Sequence, residues 1–197
     1  MNKMYRLILV GLLGGMGCAG EEQKAGTSDH AALGVPEGER IALGGISVIV
    51  PEGWVVQQPS SSMRKAQYAL GRQAADAEDG ELAVFYFGSG SAGGVAANLD
   101  RWRKQITPAE GSPPSDPQTR TVDGMAVTVL DLEGLYKAGM GPMMAPGPPK
   151  SAYRMVAAIV ESPAGAYYFK LTGPSATIAH WRTSFAQCIN SAKKAGS

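Results

Sequence analysis

The segment Glu81-Leu-Ala-Val-Phe-Tyr-Phe87 limits most strongly how this chain can fold. In a strand, successive side chains point to opposite faces. Six apolar residues in a row therefore make both faces greasy, and a sheet containing this strand must be covered on both sides. Two amphipathic segments can supply the covers. Val95 to Ile106 places Val95, Leu99, Trp102 and Ile106 on one stripe, with Arg101, Arg103 and Lys104 pointing away. Ser175 to Lys193 places Ile178, Trp181, Phe185 and Ile189 on another, with Cys188 at its edge. Lys193 and Lys194 suit the negative C-terminal end of that helix.

The remaining apolar runs read as hairpins. Ile41 to Val50 turns at Gly44-Gly45, and Pro51-Glu-Gly-Trp54 ends it in a turn. Met63 to Leu70 is a strand with Ala66, Tyr68 and Leu70 on one face, followed by a polar loop from Gly71 to Gly80. Thr119 to Leu132 turns at Asp123-Gly124, a pair suited to the positive backbone angles of a tight turn. Tyr153 to Glu161 and Ala166 to Thr172 pair across Pro163-Ala-Gly165. Thr107 to Pro117 and Gly134 to Pro149 read as loops. Hairpins make an antiparallel sheet, so the expectation is an α+β domain with a mainly antiparallel sheet and a helix layer on each face.

The N-terminus has a different character. Lys3 and Arg6 precede the apolar run Leu7 to Met16, and small residues follow, the pattern of a secretory signal peptide. The run has about half the length a membrane span needs. Gly17-Cys18-Ala19 comes next and resembles the bacterial lipoprotein signal, in which the cysteine is lipidated and becomes the new N-terminus. That resemblance implies a signal over residues 1–17 and acylation at Cys18. Ala19, rather than an aspartate, favours the outer membrane over the inner one. Gly17-x-Ala19 also permits ordinary cleavage after Ala19. Residues 18–39 are polar and small, a flexible tether with a reach of roughly 25 Å. Residues 40–195 then form a single domain.

Removing Lys3 and Arg6 from the 18 basic residues leaves 16 against 17 acidic ones, so the formal charge moves from +1 to −1. No basic run stands out, which argues against a nucleic-acid partner. With Cys18 acylated, Cys188 is left alone and no internal disulfide forms.

Few residues point to chemistry. Gly88, Gly90 and Gly93 spell G-x-G-x-x-G between a strand and a helix, with Gly94 beside them. A dinucleotide fingerprint belongs to a parallel βαβ unit with an acid about twenty residues on. Here the setting is antiparallel, and Thr107-Pro-Ala-Glu-Gly-Ser-Pro-Pro114 occupies that place. The glycines read as a strand-to-helix connection whose exposed amides are a candidate ligand loop. Met140, Met143 and Met144 offer soft thioethers of the kind that hold copper(I), with no His or Cys nearby in sequence. His180 and Cys188 are eight residues apart on one helix, about 12 Å along its axis, too far for a dyad. Asp76, Glu78, Asp79 and Glu81 do not have calcium-loop spacing and read as a solvated turn. No catalytic residue and no cofactor is expected.

The opening hairpin ending in Val50-Pro-Glu-Gly-Trp54, the helix after the early strands, and the closing Phe169-Lys-Leu-Thr-Gly-Pro174 with Trp181 and Phe185 resemble the PsbP-like fold, an α/β/α sandwich. The resemblance covers about residues 40–193. It implies a protein that acts by docking to partners and brings no catalytic motif with it. The expectation is a membrane-anchored, non-enzymatic lipoprotein docking to a protein or cell-envelope partner. The alternative is a small-ligand or copper-binding protein using the Gly-rich or Met-rich loop.

Overall fold

The computed structural model describes residues 34, 36–90, 93–112, 115–137 and 147–196. Five strands come first: β1 Gly38–Ala42, β2 Ile46–Pro51, β3 Trp54–Gln57, β4 Arg64–Leu70 and β5 Gly80–Tyr86. Helix α1 spans Val95–Arg103. Then come β6 Ile106–Thr107, β7 Gln118–Val122, β8 Met125–Tyr136, β9 Lys150–Ser162 and β10 Gly165–Pro174. Helix α2 spans Ser175–Asn190, and β11 is the short Lys193–Lys194.

Eight strands make the main sheet, in the order β3-β4-β5-β10-β9-β8-β6 with β7 also on β8. Its ladders are antiparallel. Each predicted hairpin turn is where the sequence places it. Asp123 and Gly124 both have positive φ, 49° and 68°, the backbone that this turn requires.

Both faces of the sheet are buried, by strict alternation along the central strands. Tyr167, Phe169 and Leu171 of β10, with Val156, Ala158 and Val160 of β9, face α2 and pack with Ile178, Phe185 and Ile189. Tyr168 of β10, with Met155, Ala157 and Ile159 of β9, faces α1 and packs with Leu99 and Trp102. Each such large apolar side chain contributes about 1.5–3 kcal/mol when fully buried, which is why neither face could be left to solvent.

The structure departs from the sequence reading at several points. The first hairpin does not join the main sheet. It forms a separate three-stranded sheet, β1-β2-β11, whose Ile46, Val48 and Val50 close the α2-side core beside the helix. Lys193 and Lys194 pair with Ser47 and Ile46 in that sheet and do not extend α2. The helix ends at Asn190, where the Ser191 amide bonds back to the Gln187 and Cys188 carbonyls. Helix α1 stops at Arg103: the Gln105 amide bonds to the Trp102 carbonyl, and Gln105 then accepts from the Lys137 amide. Ile106 thus reaches the same apolar core from β6, paired with Tyr136, rather than from the helix. Strand β3, after the Glu52-Gly53 turn, was not anticipated.

Candidate functional site

Helix α1 has only nine residues and covers part of its sheet face. A cavity of about 150 Å³ lies between it and strands β5 and β10. Phe85 and Phe87 of β5, Trp102 of α1 and Tyr168 of β10 line it. The two phenylalanine rings are nearly parallel, with centroids 6.1 Å apart, and Phe87 meets Tyr168 at a tilt, 5.7 Å away. Asn98, Arg101 and Gln105 supply polar groups from the helix and its exit, and Lys170 supplies one from β10. The lining contains no carboxylate.

Lys170 is there because of strand alternation. With Phe169 and Leu171 committed to the α2 core, Lys170 must face α1, two residues along from Tyr168. Its Nζ donates to Oε1 of Gln105 at 2.6 Å and to the Tyr136 hydroxyl at 3.4 Å. It also lies 5.4 Å from the Tyr136 ring centroid. Burial pulls its pKa down from 10.5 to about 8; Glu81 opposes that shift and Arg64 adds to it. Glu81 is already committed, 3.0 Å from Nη1 of Arg64 and accepting from Nε2 of Gln67 at 2.9 Å.

The described glycines between β5 and α1 do not line this cavity, though two of them bond to residues that do. Gly88, Gly90 and Gly93 have positive φ of 84°, 78° and 74°, and Gly94 is the residue before α1. The carbonyls of Gly93 and Gly94 accept from Nδ2 of Asn98, at 3.4 and 3.1 Å, and the Gly93 carbonyl also receives the Tyr168 hydroxyl at 3.5 Å. Strand β5, which leads into the loop, is antiparallel to both its neighbours, β4 and β10. Cys18, Met140, Met143 and Met144 lie outside the described residues.

The other sequence candidates are dispersed. Asp76 accepts from the Thr177 amide at the start of α2, Glu78 pairs with Lys150, and Asp79 accepts from the Arg72 amide. Among the described residues no group of three or more His, Cys, Asp or Glu gathers to hold a metal. Cys188 is buried in the α2 core, where desolvation pushes its thiol up to about 12. His180 is exposed and packs edge-on to Trp181.

A larger open groove of about 870 Å³ runs past Thr107, Pro108, Gly134 and Arg154. Among the described residues its one lining cation, Arg154, is spent on the carboxylates of Asp131 and Glu133. Arg154 holds Asp131 through two hydrogen bonds, and Arg182 reaches the same carboxylate at 3.0 Å. The smaller cavity is the one whose cation keeps unspent capacity.

No family model matches this sequence, and neither does any curated protein. Solved structures do match. The solution structure of cyanobacterial PsbP (CyanoP) from Synechocystis superposes with a TM-score of 0.51 at 14% identity, over 83% of this chain and 95% of that one. The chain has a PsbP-like fold. A crystal structure from Pseudomonas aeruginosa, titled as protein of unknown function PA94 and putative regulator, is similar at a TM-score of 0.45 and 16% identity. That match covers 77% of this chain and 93% of that one.

Within this PsbP-like fold the Lys170 cavity was missed by the sequence reading. One signal was present: a lysine inside Tyr167-Tyr-Phe-Lys-Leu171, a strand otherwise apolar on both faces. A cation at such a position needs a reason, because burying an ammonium is costly.

Proposed function

We propose that this protein is an exported, lipid-anchored, non-enzymatic docking module, held to the membrane at Cys18, tethered by the residues between Cys18 and β1, which begins at Gly38 rather than after residue 39, and joined to a cell-envelope protein through its folded domain. The observation that carries the docking reading is the β3 edge. Strand β3 ends the main sheet, with no strand on its outer side among the described residues. Val55 and Val56 on it are 62% and 74% exposed, and Met63, in the connection to β4, is 53% exposed. Soluble proteins normally blunt such an edge with charge or proline. This edge is short, four residues, but largely apolar and free of charge and proline, and it suits addition of an extended strand from a partner, with backbone hydrogen bonds giving affinity and the two valines gripping alternate faces.

A photo-crosslinking residue at Val56, in cells carrying the full chain, tests this. Crosslinks to one envelope protein are expected, with none from the same residue at Thr121. The Val55→Lys change, made alongside the Val56 probe, should abolish them. Equal crosslinking from Thr121, or full crosslinking with Val55→Lys, would overturn the docking site. Cell fractionation of Cys18→Ser tests the anchor: release from the membrane fraction is expected, and unchanged retention defeats it.

A further inference from the structure

We infer that the cavity beneath α1 is a binding site for a small aromatic carboxylate, with the ring among Phe85, Phe87, Trp102 and Tyr168 and the carboxylate held by Lys170 and Arg101. This site is independent of the β3 edge, and either could exist without the other.

Three observations converge on it. The first is size and surface. An apolar space of about 150 Å³ is large enough to accept benzene, and this partly open pocket has that volume with four aromatic side chains in its lining. Aromatic walls in offset or tilted arrangement favour a planar guest over a branched aliphatic one.

The second is charge. Two cations and two amides line the cavity and no acid does. The nearest carboxylate acting on Lys170, that of Glu81, is held by Arg64 and Gln67. Arg101 spends one Nη1 contact on Oδ1 of Asn98, at 2.8 Å. A guanidinium has five N–H donors, so most of its capacity remains.

The third is the hydrogen-bond inventory of Lys170. An ammonium has three N–H donors. Gln105 and Tyr136 take two, and among the described residues no third acceptor is within reach. A poorly solvated ammonium with one donor unfilled by the protein favours an anionic oxygen over a neutral one, because charge-assisted hydrogen bonds are roughly twice as strong. The ligand also returns a benefit to the site, since an anion stabilises the charged form of Lys170.

That coupling gives the site a pH signature. The groups acting on Lys170 are Glu81 from β5, Arg64 from β4 and Tyr136 from β8, with Arg101 across the cavity on α1. The facing residues of β9, Met155 and Ala157, do not titrate. Above the Lys170 pKa of about 8 the amine loses its proton. Carboxylate affinity must then fall, approaching tenfold per pH unit.

The test is a calorimetric titration of the full chain carrying Cys18→Ser with benzoate, with benzamide as the neutral isostere. At pH 7, benzoate is expected to bind with a dissociation constant in the millimolar range or tighter, and benzamide about tenfold more weakly, the worth of one charge-assisted contact. Benzoate affinity should fall about tenfold between pH 7 and pH 9, while benzamide affinity stays level. Lys170→Met, which keeps the length of the side chain, should remove the preference for benzoate. If that variant does not fold, Arg101→Gln is read instead. Arg101 lines the cavity yet is solvent-exposed, so its replacement should leave the fold intact and weaken benzoate several-fold with benzamide unchanged. Equal binding of the two probes, no heat with benzoate at about 10 mM, or an undiminished benzoate preference in the variant that folds would overturn the assignment.

Discussion

Arg154 and Asp131 meet across the β8–β9 ladder with two parallel hydrogen bonds, Nε to Oδ1 at 2.7 Å and Nη2 to Oδ2 at 2.8 Å. Arg182 of α2 reaches Oδ2 as well, at 3.0 Å. The strand pair is about one-fifth exposed, whereas Arg182 is 52% exposed. Planar, two-point pairing fixes geometry as well as charge. Asp131→Ala leaves Arg154 half-buried without its main acceptor, and should cost about 1–3 kcal/mol of stability. Arg182→Ala removes a solvent-screened contact and should cost less than about 0.5 kcal/mol. Urea unfolding of the two variants separates them; equal midpoints would mean the ladder pair is no better than a surface contact.

Asp76 caps α2 from a distant loop. The residue before that helix is Pro174, which offers no side-chain acceptor. Oδ2 of Asp76 instead accepts from the Thr177 amide at 2.8 Å and from the Thr177 hydroxyl. That satisfies one of the unpaired amides of the first turn and places a carboxylate at the positive end of the helix. Asp76→Ala should lower stability by about 1–2 kcal/mol, the usual cost of losing a cap. Glu78→Ala, two residues away, loses an exposed pair with Lys150 and should cost less than about 1 kcal/mol. Matching losses in a denaturant titration would refute the capping role.

The two predictions show where the sequence was legible. Turns and faces were local, so Asp123-Gly124 and the alternation of Tyr167 to Leu171 could be read directly. Asp76 could not, because its partner is 101 residues on. Nor could the Lys170 site, whose acceptors Gln105 and Tyr136 lie 65 and 34 residues away. The separate small sheet escaped for the same reason, since β2 and β11 pair across most of the domain. Strand β3 escaped because Val55-Val56-Gln57, directly after a turn, is too short to show a period.

Gly134 is fixed by a close backbone approach. Its φ is +155°, and a Cβ there would collide with the Thr107 carbonyl, where β6 crosses the bulge in β8. The obstacle is backbone, which cannot move aside as a flexible side chain would. Gly134→Ala should therefore cost about 3 kcal/mol or more, or detach β6 from the sheet edge. Gly94→Ala is the contrast: nothing lies within 4 Å of its Cβ position. That variant should stay within about 1 kcal/mol of the parent. Thermal unfolding of both checks the pair, and a native-like melt for Gly134→Ala would show that the β6 contact yields.

Cys188 contributes to loss of stability at alkaline pH, alongside tyrosines whose pKa burial also raises. Burial alone raises its thiol from 9.0 to about 12. The folded chain therefore keeps a proton that the unfolded chain loses above pH 9. The contribution is fully present below that pH and is lost as pH rises towards 12. In that window the loss approaches about 1.4 kcal/mol per pH unit. Cys188→Ala forfeits some packing at every pH but has no proton to lose. The stability advantage of the parent over Cys188→Ala should thus shrink by about 1 kcal/mol between pH 9 and pH 10, measured by urea unfolding under reducing conditions. A constant difference across that range would mean the thiol is not held protonated by the core. The same burial predicts that Cys188 does not react with a thiol reagent in the native protein at pH 8 and reacts fully once unfolded.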